Sequence, residues 1–249
     1  ETAMNVLGEY LDSLDVSADY VFLSDQIDAT GYDLVIALGG DGTVLHASHQ
    51  IGNTPVLGIN SAPGHSIGFF TATSIGDARS LIERALTGKL AVTRLQRMAV
   101  EIDGRLVYGR VLNDVLFSHE CPASTARYIL RLGEIEEAQM SSGLWIGPAA
   151  GSTAALRSAG GKVLRPGSRK LQFIVREPYS GMGMVYKLAR GFVQPGESLF
   201  VRSKIDSARM YVDGPHVVLP AQLGEMVEFK LAPEPLRLLG FKRPKIQPN

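Results

Sequence analysis

The chain has 249 residues, enough to bury one large hydrophobic core or two smaller ones. Hydrophobic residues make up 45% of the sequence, which is typical of a packed globular protein and argues against disorder. The 25 Lys and Arg residues balance the 25 Asp and Glu residues, so no net charge attracts the chain to nucleic acid or to an anionic membrane.

Predicted helices and strands alternate along the first ninety residues. Apolar residues at helical spacing predict helices at 2–14, 44–51 and 75–87. Short apolar runs predict strands at 20–23, 33–38 and 55–59. The run at 33–38 is unbroken, which indicates a parallel strand covered on both faces of its sheet. This alternation predicts a doubly wound α/β domain, which we assign to residues 1–92.

The pattern changes at about residue 92 to short alternating runs separated by turn residues. Asp103-Gly104 lies between two such runs and predicts a β-hairpin, because Asp-Gly is a preferred two-residue hairpin turn. Similar runs recur at 171–175, 198–202, 209–212 and 226–231. We therefore predict a β-rich domain over residues 93–240. Residues 241–249 are expected to form a loose tail, and the C-terminal end is a segment that can return to the first domain.

A glycine-rich loop, Gly39-Gly40-Asp41-Gly42-Thr43, follows the predicted strand at 33–38. Glycines let backbone N–H groups approach phosphate oxygens, and the start of the next helix adds its partial positive charge. Asp41 would repel phosphate, so it points to a chemical role such as accepting the proton of an attacking hydroxyl. The alternative is a strand-to-helix turn that happens to contain glycine. The loop matches neither of the common phosphate-binding patterns, the P-loop and Gly-x-Gly-x-x-Gly.

The loop resembles the signature shared by NAD kinases, diacylglycerol-type lipid kinases and, more distantly, phosphofructokinases. Later stretches resemble the NAD kinase family in order and spacing: Leu57-Gly58-Ile59-Asn60 with Ser66-Ile67-Gly68-Phe69-Phe70-Thr71, Leu112-Asn113-Asp114-Val115, and Gly151-Ser152-Thr153-Ala154 with Ser158-Ala159-Gly160-Gly161. Val212-Asp213-Gly214 weakly resembles the closing β segment of the family, and Asp213-Gly214 is equally well an ordinary hairpin turn. The resemblance implies a Rossmann-like α/β N-terminal domain followed by a β-rich C-terminal domain.

The resemblance also implies an activity and a set of site residues. The chain would phosphorylate the 2′-hydroxyl of the adenosine ribose of NAD to give NADP, with ATP as donor and Asp41 as catalytic base. The implied nucleotide- and NAD-binding residues are Gly40, Gly42, Thr43, Asn60, Phe69, Asn113, Asp114, Gly151, Ser152, Thr153, Ala154 and Ser158. An Asn-Asp pair offers donors and acceptors to a nucleoside. Alternatively, Ser152 or Thr153 caps the following helix.

The sequence departs from the family pattern around its third stretch. Thr-Pro-Thr usually precedes Gly-Ser-Thr-Ala, but this chain has Pro148-Ala149-Ala150, and Ala155 replaces the usual Tyr. The inserted residues 61–65 and Ser141-Ser142-Gly143-Leu144 resemble a divergent branch that includes mitochondrial NAD kinases. Two other functions therefore stay open: a lipid or other small-alcohol kinase with the same loop, and a nucleotide-binding module without activity.

The remaining expectations concern metals, partners and location. His46 and His49 lie three residues apart with no further ligands at metal-site spacing, so we expect no protein metal site. Mg²⁺ would arrive with ATP, because phosphates and water supply most of its octahedron. The single cysteine, Cys121, excludes an intramolecular disulfide. Apolar runs are too short to cross a bilayer. We expect a cytoplasmic homodimer or homotetramer that binds neither nucleic acid nor a membrane.

Overall fold

The computed structural model of the protein describes residues 2–64, 68–179, 181 and 185–241. Its contacts divide the chain into two compact units, one formed by residues 1–94 with 235–249 and the other by residues 95–234. Three parts of the sequence analysis lie outside the described residues, namely residue 65 of the inserted stretch 61–65, Ser66-Ile67 of the second family-like stretch and residues 242–249 of the expected tail.

Helices are few and strands are many. The helices are α1 (Thr2–Ser13), α2 (Asp41–Ser48), α3 (Ala78–Leu86) and the single turn α4 (Ala155–Ser158). The strands are β1 (Val35–Leu38), β2 (Val56–Asn60), β3 (Thr73–Ser74), β4 (Val92–Leu95), β5 (Met98–Ile102), β6 (Arg105–Val111), β7 (Val115–His119), β8 (Ala126–Leu132), β9 (Ile135–Ser141), β10 (Gly143–Gly147), β11 (Leu171–Arg176), β12 (Arg190–Val193), β13 (Leu199–Ser203), β14 (Ala208–Val212), β15 (Val217–Ala221), β16 (Met226–Leu231) and β17 (Leu236–Leu239). Two 3-10 helices, Ile75–Asp77 and Ala149–Thr153, precede α3 and α4.

The first unit is built around a sheet of order β1-β2-β17-β4, with β3 paired to β2. Strands β1 and β2 are parallel, and all five residues of β2 are buried, as expected for a central strand. Leu7 and Leu11 of α1 and Ile82 of α3 pack into the same core as Leu57 and Ile59 of β2. The α/β character that the sequence predicted for this part of the chain is confirmed.

The strand predicted at residues 20–23 is wrong. The backbone N–H of Phe22 donates to Asp25 Oδ2 at 2.8 Å, and the N–H of Asp25 donates to the Phe22 carbonyl at 2.9 Å. A local turn therefore occupies the backbone groups that a strand would present to a neighbour. The side chains from Tyr20 to Leu23 are exposed.

The second unit consists of two six-stranded sheets, of order β12-β11-β10-β7-β14-β15 and β6-β5-β16-β13-β8-β9. Phe117 of the first sheet and Tyr128 of the second lie edge to face with ring centroids 5.6 Å apart, within a core that both sheets share. The hairpin predicted at Asp103-Gly104 is confirmed, since both residues have positive φ, 48° and 76°. The β-rich character of this part of the chain is also confirmed.

The C-terminal strand β17 belongs to the first unit rather than to the β-rich unit in which the sequence analysis placed it. Leu238 pairs in parallel with Val56 of β2, and the side chains of Leu236 and Leu238 are fully buried. Residues 236–239 therefore return to the α/β sheet, where their apolar side chains are buried beside β2. Among the described residues, the helices are all too short or too polar to span a membrane.

Candidate functional site

The glycine-rich loop connects the carboxyl end of β1 to the start of α2. Gly39 continues the pairing with β2, its N–H donating to the Ile59 carbonyl at 2.9 Å. Gly40 is the N-cap residue of α2, which begins at Asp41. The first turn of a helix leaves backbone N–H groups free of intrahelical bonds and carries a partial positive charge. The loop thus places donors for an anion at the edge of the parallel sheet.

Two glycines of this loop differ in what surrounds them. A Cβ on Gly39 would overlap the side chain of Thr43, so packing within the protein requires glycine there. A Cβ on Gly42 would have no described protein atom within 4 Å. Glycine at position 42 therefore leaves open space in front of the helix, as a backbone that approaches a ligand requires.

The carboxylate of Asp41 is held by two backbone donors. Its Oδ2 accepts from the N–H of Phe69 at 2.9 Å, and its Oδ1 accepts from the N–H of Phe70 at 2.7 Å. The two oxygens of a carboxylate offer about four lone-pair positions, so further acceptor capacity remains. Asp41 is half-buried, and its position is fixed by backbone rather than by mobile side chains.

The segment that holds Asp41 is itself tightly packed. The Phe69 ring lies edge to face with Phe70, at 5.0 Å between centroids, and with Phe241, at 5.5 Å. A Cβ on Gly58 of β2 would lie 2.6 Å from the Phe70 carbonyl oxygen, so the segment crosses β2 at a glycine. Asn60 is only 5% exposed, and its Oδ1 accepts from the N–H of Ala62 at 3.0 Å. The first unit therefore brings Asn60 and Phe69 together with the glycine-rich loop.

In the second unit, Asn113 and Asp114 lie in the connection between β6 and β7. The carboxylate of Asp213, which follows β14, accepts from three consecutive N–H groups of this connection. Leu112 donates to Oδ2 at 2.8 Å, and Asn113 and Asp114 donate to Oδ1 at 2.7 and 2.9 Å. Sequence reasoning gave Asp213 only a doubtful role, because Asp-Gly at a hairpin needs no further explanation.

Asp114 is buried, with 6% of its surface exposed. Burial first, and then the neighbouring charge of Asp213, raise the pKa of Asp114 to about 7. Carboxyl groups whose pKa is raised by burial and a neighbouring charge are common in functional sites.

The peptide carbonyl of Asn113 packs against two glycines. A Cβ on Gly147, at the end of β10, or on Gly151, in the second 3-10 helix, would overlap this carbonyl oxygen. Of the predicted site residues, the structure thus brings Gly151 into direct contact with Asn113. Packing within the unit accounts for glycine at position 151, independently of any ligand.

Ser152 is fully buried. Its Oγ donates to the Ala149 carbonyl at 2.6 Å and accepts from the N–H of Leu164 at 2.9 Å. Both bonds hold the loop, so in this structure the hydroxyl serves the fold of the loop and presents no surface to a nucleotide. The predicted contact between Ser152 and NAD is not possible for this hydroxyl in the conformation described here, and it stays a prediction.

The neighbouring residues of the loop are more accessible. Thr153 is half-buried, with Oγ1 donating to the Ala150 carbonyl at 3.4 Å, and Ala154 and Ser158 are exposed. The N-cap of α4 is Ala154, and it makes no side-chain capping bond. Neither Ser152 nor Thr153 is therefore the N-cap of this helix, and the capping alternative is wrong.

The described residues include no cluster of three or more His, Cys, Asp or Glu side chains suited to a metal ion. The rings of His46 and His49 are 6.4 Å apart between centroids. A cavity of about 460 Å³ in the first unit is lined by residues from α1, from residues 16–38 and from α2. Among the predicted site residues that are described, Thr43 alone lines it, so this cavity is not the site around Asp41.

These features define a class of proteins in which an α/β unit with an aspartate-containing glycine-rich loop is joined to a β-sandwich unit. The family described as ATP-NAD kinase N-terminal domain matches residues 15–90. The chain is 36% identical over 218 residues to a probable NADH kinase of Oryza sativa subsp. japonica, covering 79% of this chain and 67% of the relative. It is 30% identical over 230 residues to an NAD kinase of Rhodopirellula baltica, covering 90% and 71%.

A solved structure has the same fold. An NAD kinase from Archaeoglobus fulgidus, crystallised in complex with ATP, superposes with a TM-score of 0.78 at 21% identity, covering 98% of this chain and 91% of that one. The chain belongs to the NAD kinase family, as its sequence motifs indicated.

Proposed function

We propose that the chain transfers a phosphoryl group from ATP to the 2′-hydroxyl of the adenosine ribose of NAD, giving NADP and ADP. The observation that carries this proposal is the Asp41 carboxylate, fixed by the N–H groups of Phe69 and Phe70 at the start of α2. Membership of the NAD kinase family supports NAD as the acceptor. A lipid acceptor and a non-catalytic module are not favoured by these relatives.

In the proposed reaction, Asp41 accepts the proton of the 2′-hydroxyl as its oxygen attacks the γ-phosphorus of ATP. The O–H bond breaks, the new O–P bond forms, and the bond between the γ-phosphorus and its bridging oxygen breaks to release ADP. The carboxylate retains lone pairs for this proton beyond those that its two backbone bonds use. Catalysis by positioning and charge stabilisation is typical of phosphoryl transfer.

The other site residues bind rather than react. We assign the phosphates to the backbone N–H of Gly42 and the hydroxyl of Thr43 at the start of α2, beside the open space at position 42. The N–H of Thr43 already donates to the Gly40 carbonyl at 3.1 Å. Asn113 and Asp114 would bind the nucleoside, with the Asp114 carboxylate accepting from ribose hydroxyls or an adenine amino group. The assigned binding set also includes Gly40, Asn60, Phe69, Gly151, Thr153, Ala154 and Ser158.

Mg²⁺ would accompany ATP. Phosphate oxygens and water supply most of the octahedron of such an ion, so it would need few protein ligands. Such an ion would neutralise part of the charge of the phosphates. By relationship to the family we further propose a homodimer or homotetramer located in the cytoplasm.

The test is an assay for NADP or NADPH formation from ATP and Mg²⁺ with NAD or NADH, since one relative is named a probable NADH kinase and another an NAD kinase. Asp41→Asn should reduce the rate about a hundredfold or more, the usual effect of losing a general base. Asp77→Asn, a change at an exposed aspartate of the same unit, is the matched control.

Each other outcome selects an alternative. Phosphorylation of a lipid hydroxyl without formation of NADP would replace the proposal by a lipid kinase. An NAD-dependent rise in melting temperature without any product would indicate a binding module. Full activity of Asp41→Asn would remove Asp41 as the base while leaving the reaction assigned.

A further inference from the structure

Asp213 makes an unusual number of bonds for a residue in a hairpin turn. It follows β14, has a φ of +50°, and precedes Gly214 in the turn to β15. Its two carboxylate oxygens accept from the N–H groups of Leu112, Asn113 and Asp114, and its own N–H donates to the Asp114 carbonyl at 2.9 Å. Four hydrogen bonds therefore join this one residue to the connection between β6 and β7.

Asp103, the other hairpin aspartate discussed in this unit, provides a comparison. It also has a positive φ, 48°, and also precedes a glycine, Gly104. Its carboxylate accepts from the N–H of Met226 at 3.0 Å, and its own N–H donates to the Met226 carbonyl at 3.0 Å. The shape of the turn explains an aspartate at both positions. It does not explain why the Asp213 carboxylate collects three consecutive N–H groups beside the Asn113-Asp114 pair.

The connection is also fixed from its other side. Gly147 and Gly151 approach the Asn113 carbonyl so closely that a Cβ on either would overlap it. The peptide of Asn113 is thus fixed both by hydrogen bonds to Asp213 and by backbone packing. A backbone restrained in this way places its side chains accurately, as a binding site requires.

Charged groups of both signs surround Asp213. Asp213 places a second carboxylate near the buried carboxyl of Asp114, and like charges at short range disfavour each other. Positive charge is also nearby: the fully buried guanidinium of Arg97 experiences the charges of Glu234 and Asp213, and Arg110 lies 3.5 Å from Glu234. The titratable side chain of Tyr108 also interacts electrostatically with Asp213.

We propose that Asp213 is a positioning residue for NAD binding, holding the backbone of residues 112–114 so that Asn113 and Asp114 bind the nucleoside. This inference rests on the proposed function of that pair. Asp213 acts through Asn113 and Asp114 and takes no part in proton or phosphoryl transfer.

The kinetic test is Asp213→Asn. Asparagine tolerates a positive φ, so the turn is retained. Its amide has one acceptor oxygen where the carboxylate uses two, and its NH₂ group faces an N–H donor. The KM for NAD should rise about tenfold or more, because bonds to a charged acceptor are lost, while kcat changes much less. Asp103→Asn, the matched control, should leave both constants within about twofold of the parent values.

A pH profile separates positioning from a general loss of structure. In the parent, the KM for NAD should fall as pH rises through the pKa of Asp114, about 7, because the ionised form accepts hydrogen bonds from the nucleoside. Removing the charge of Asp213 should move this inflection to lower pH. An inflection that stays in place with an unchanged KM would overturn the proposal.

Amide hydrogen exchange of the parent gives a measurement that does not depend on the variant folding. The N–H groups of Leu112, Asn113 and Asp114 should exchange slowly, since all three are bonded to Asp213. Rapid exchange of these amides would overturn the inference. A parent that makes NADP while Asp213→Asn keeps its KM would sink the positioning role alone, whereas a parent that makes no NADP removes the proposed function itself.

Discussion

The carboxylate of Asp41 accepts a hydrogen bond of 2.7 Å from the backbone N–H of Phe70, a residue 29 positions further along the chain. This bond, with its companion from Phe69, ties the glycine-rich loop to the segment that crosses β2. The segment lies this close because β2 has glycine at position 58. The placement of the proposed base therefore depends on a residue that no ligand needs to contact.

Gly58→Ala should disturb Asp41 without touching it. The new Cβ would lie 2.6 Å from the Phe70 carbonyl oxygen, so the segment must move away from β2. We expect a loss of about 1–3 kcal/mol in the free energy of unfolding, as for overpacked cores, together with a fall in kcat. Chemical denaturation and steady-state kinetics measure the two effects. Gly76→Ala, where a Cβ meets no described atom within 4 Å, should change neither.

Gly42→Ala should reduce activity without reducing stability. No described atom lies within 4 Å of the new Cβ, and alanine is the better helix former by about 0.5–1 kcal/mol, so the melting temperature should stay the same or rise. The methyl group would occupy the space assigned to phosphate, so kcat/KM for ATP should fall about tenfold or more. Unchanged kinetics would place the phosphates elsewhere.

Gly151→Ala should weaken both folding and NAD binding. Its Cβ would overlap the Asn113 carbonyl oxygen, and relief requires a shift of the backbone that carries Asn113 and Asp114. We expect a destabilisation of about 1–3 kcal/mol and a raised KM for NAD. The matched control is Gly167→Ala, where no described atom lies within 4 Å of the added carbon. A stable variant with the parent KM would contradict the assignment of this connection to NAD.

Asp114→Asn should change how stability depends on pH. The folded pKa of Asp114, about 7, lies above its ordinary value of 3.8, so between these pH values the folded chain holds a proton that the unfolded chain has released. The contribution of Asp114 to stability is therefore present below pH 4 and is lost as pH rises towards 7. Asparagine at position 114 cannot titrate, so the variant does not lose stability in this way. The unfolding free energy of the variant minus that of the parent should therefore be larger at pH 8 than at pH 4, by a few kcal/mol. Denaturant unfolding at several pH values measures the difference, and a constant difference would contradict the pKa.

Much of the local structure follows from local sequence. The aliphatic run before Gly39 and the helical spacing over residues 2–14 correspond to β1 and α1. Asp103-Gly104 forms its hairpin because those two residues accept the positive φ that a tight turn demands. The strand predicted from the short apolar run at 20–23 is absent, because hydrogen bonds between Phe22 and Asp25 satisfy the backbone within a turn.

Pairings between distant segments cannot be predicted from local sequence. The strand β17 has a short apolar sequence that does not name its partner, and it pairs in parallel with β2, more than 170 residues earlier in the chain. The Asp213 carboxylate binds N–H groups about a hundred residues earlier in the chain, and nothing near Asp213 in the sequence specifies them. A pairing of this kind depends on which strands become neighbours, which is a property of the whole sheet.

Local sequence accounts for the glycine-rich loop, for the residue types available for chemistry and for elements such as β1 and α1, since these depend on backbone preferences and spacing within short segments. Contacts between distant segments account for how those residues are held. Packing against β2 and the Phe70 segment explains why Gly58 is glycine, and packing against Asn113 explains why Gly151 is glycine. The N–H groups that fix Asp41, and the carboxylate that fixes Asn113 and Asp114, come from distant parts of the chain. Hydrogen bonds and close contacts act over a few ångströms in space, whatever the separation along the chain.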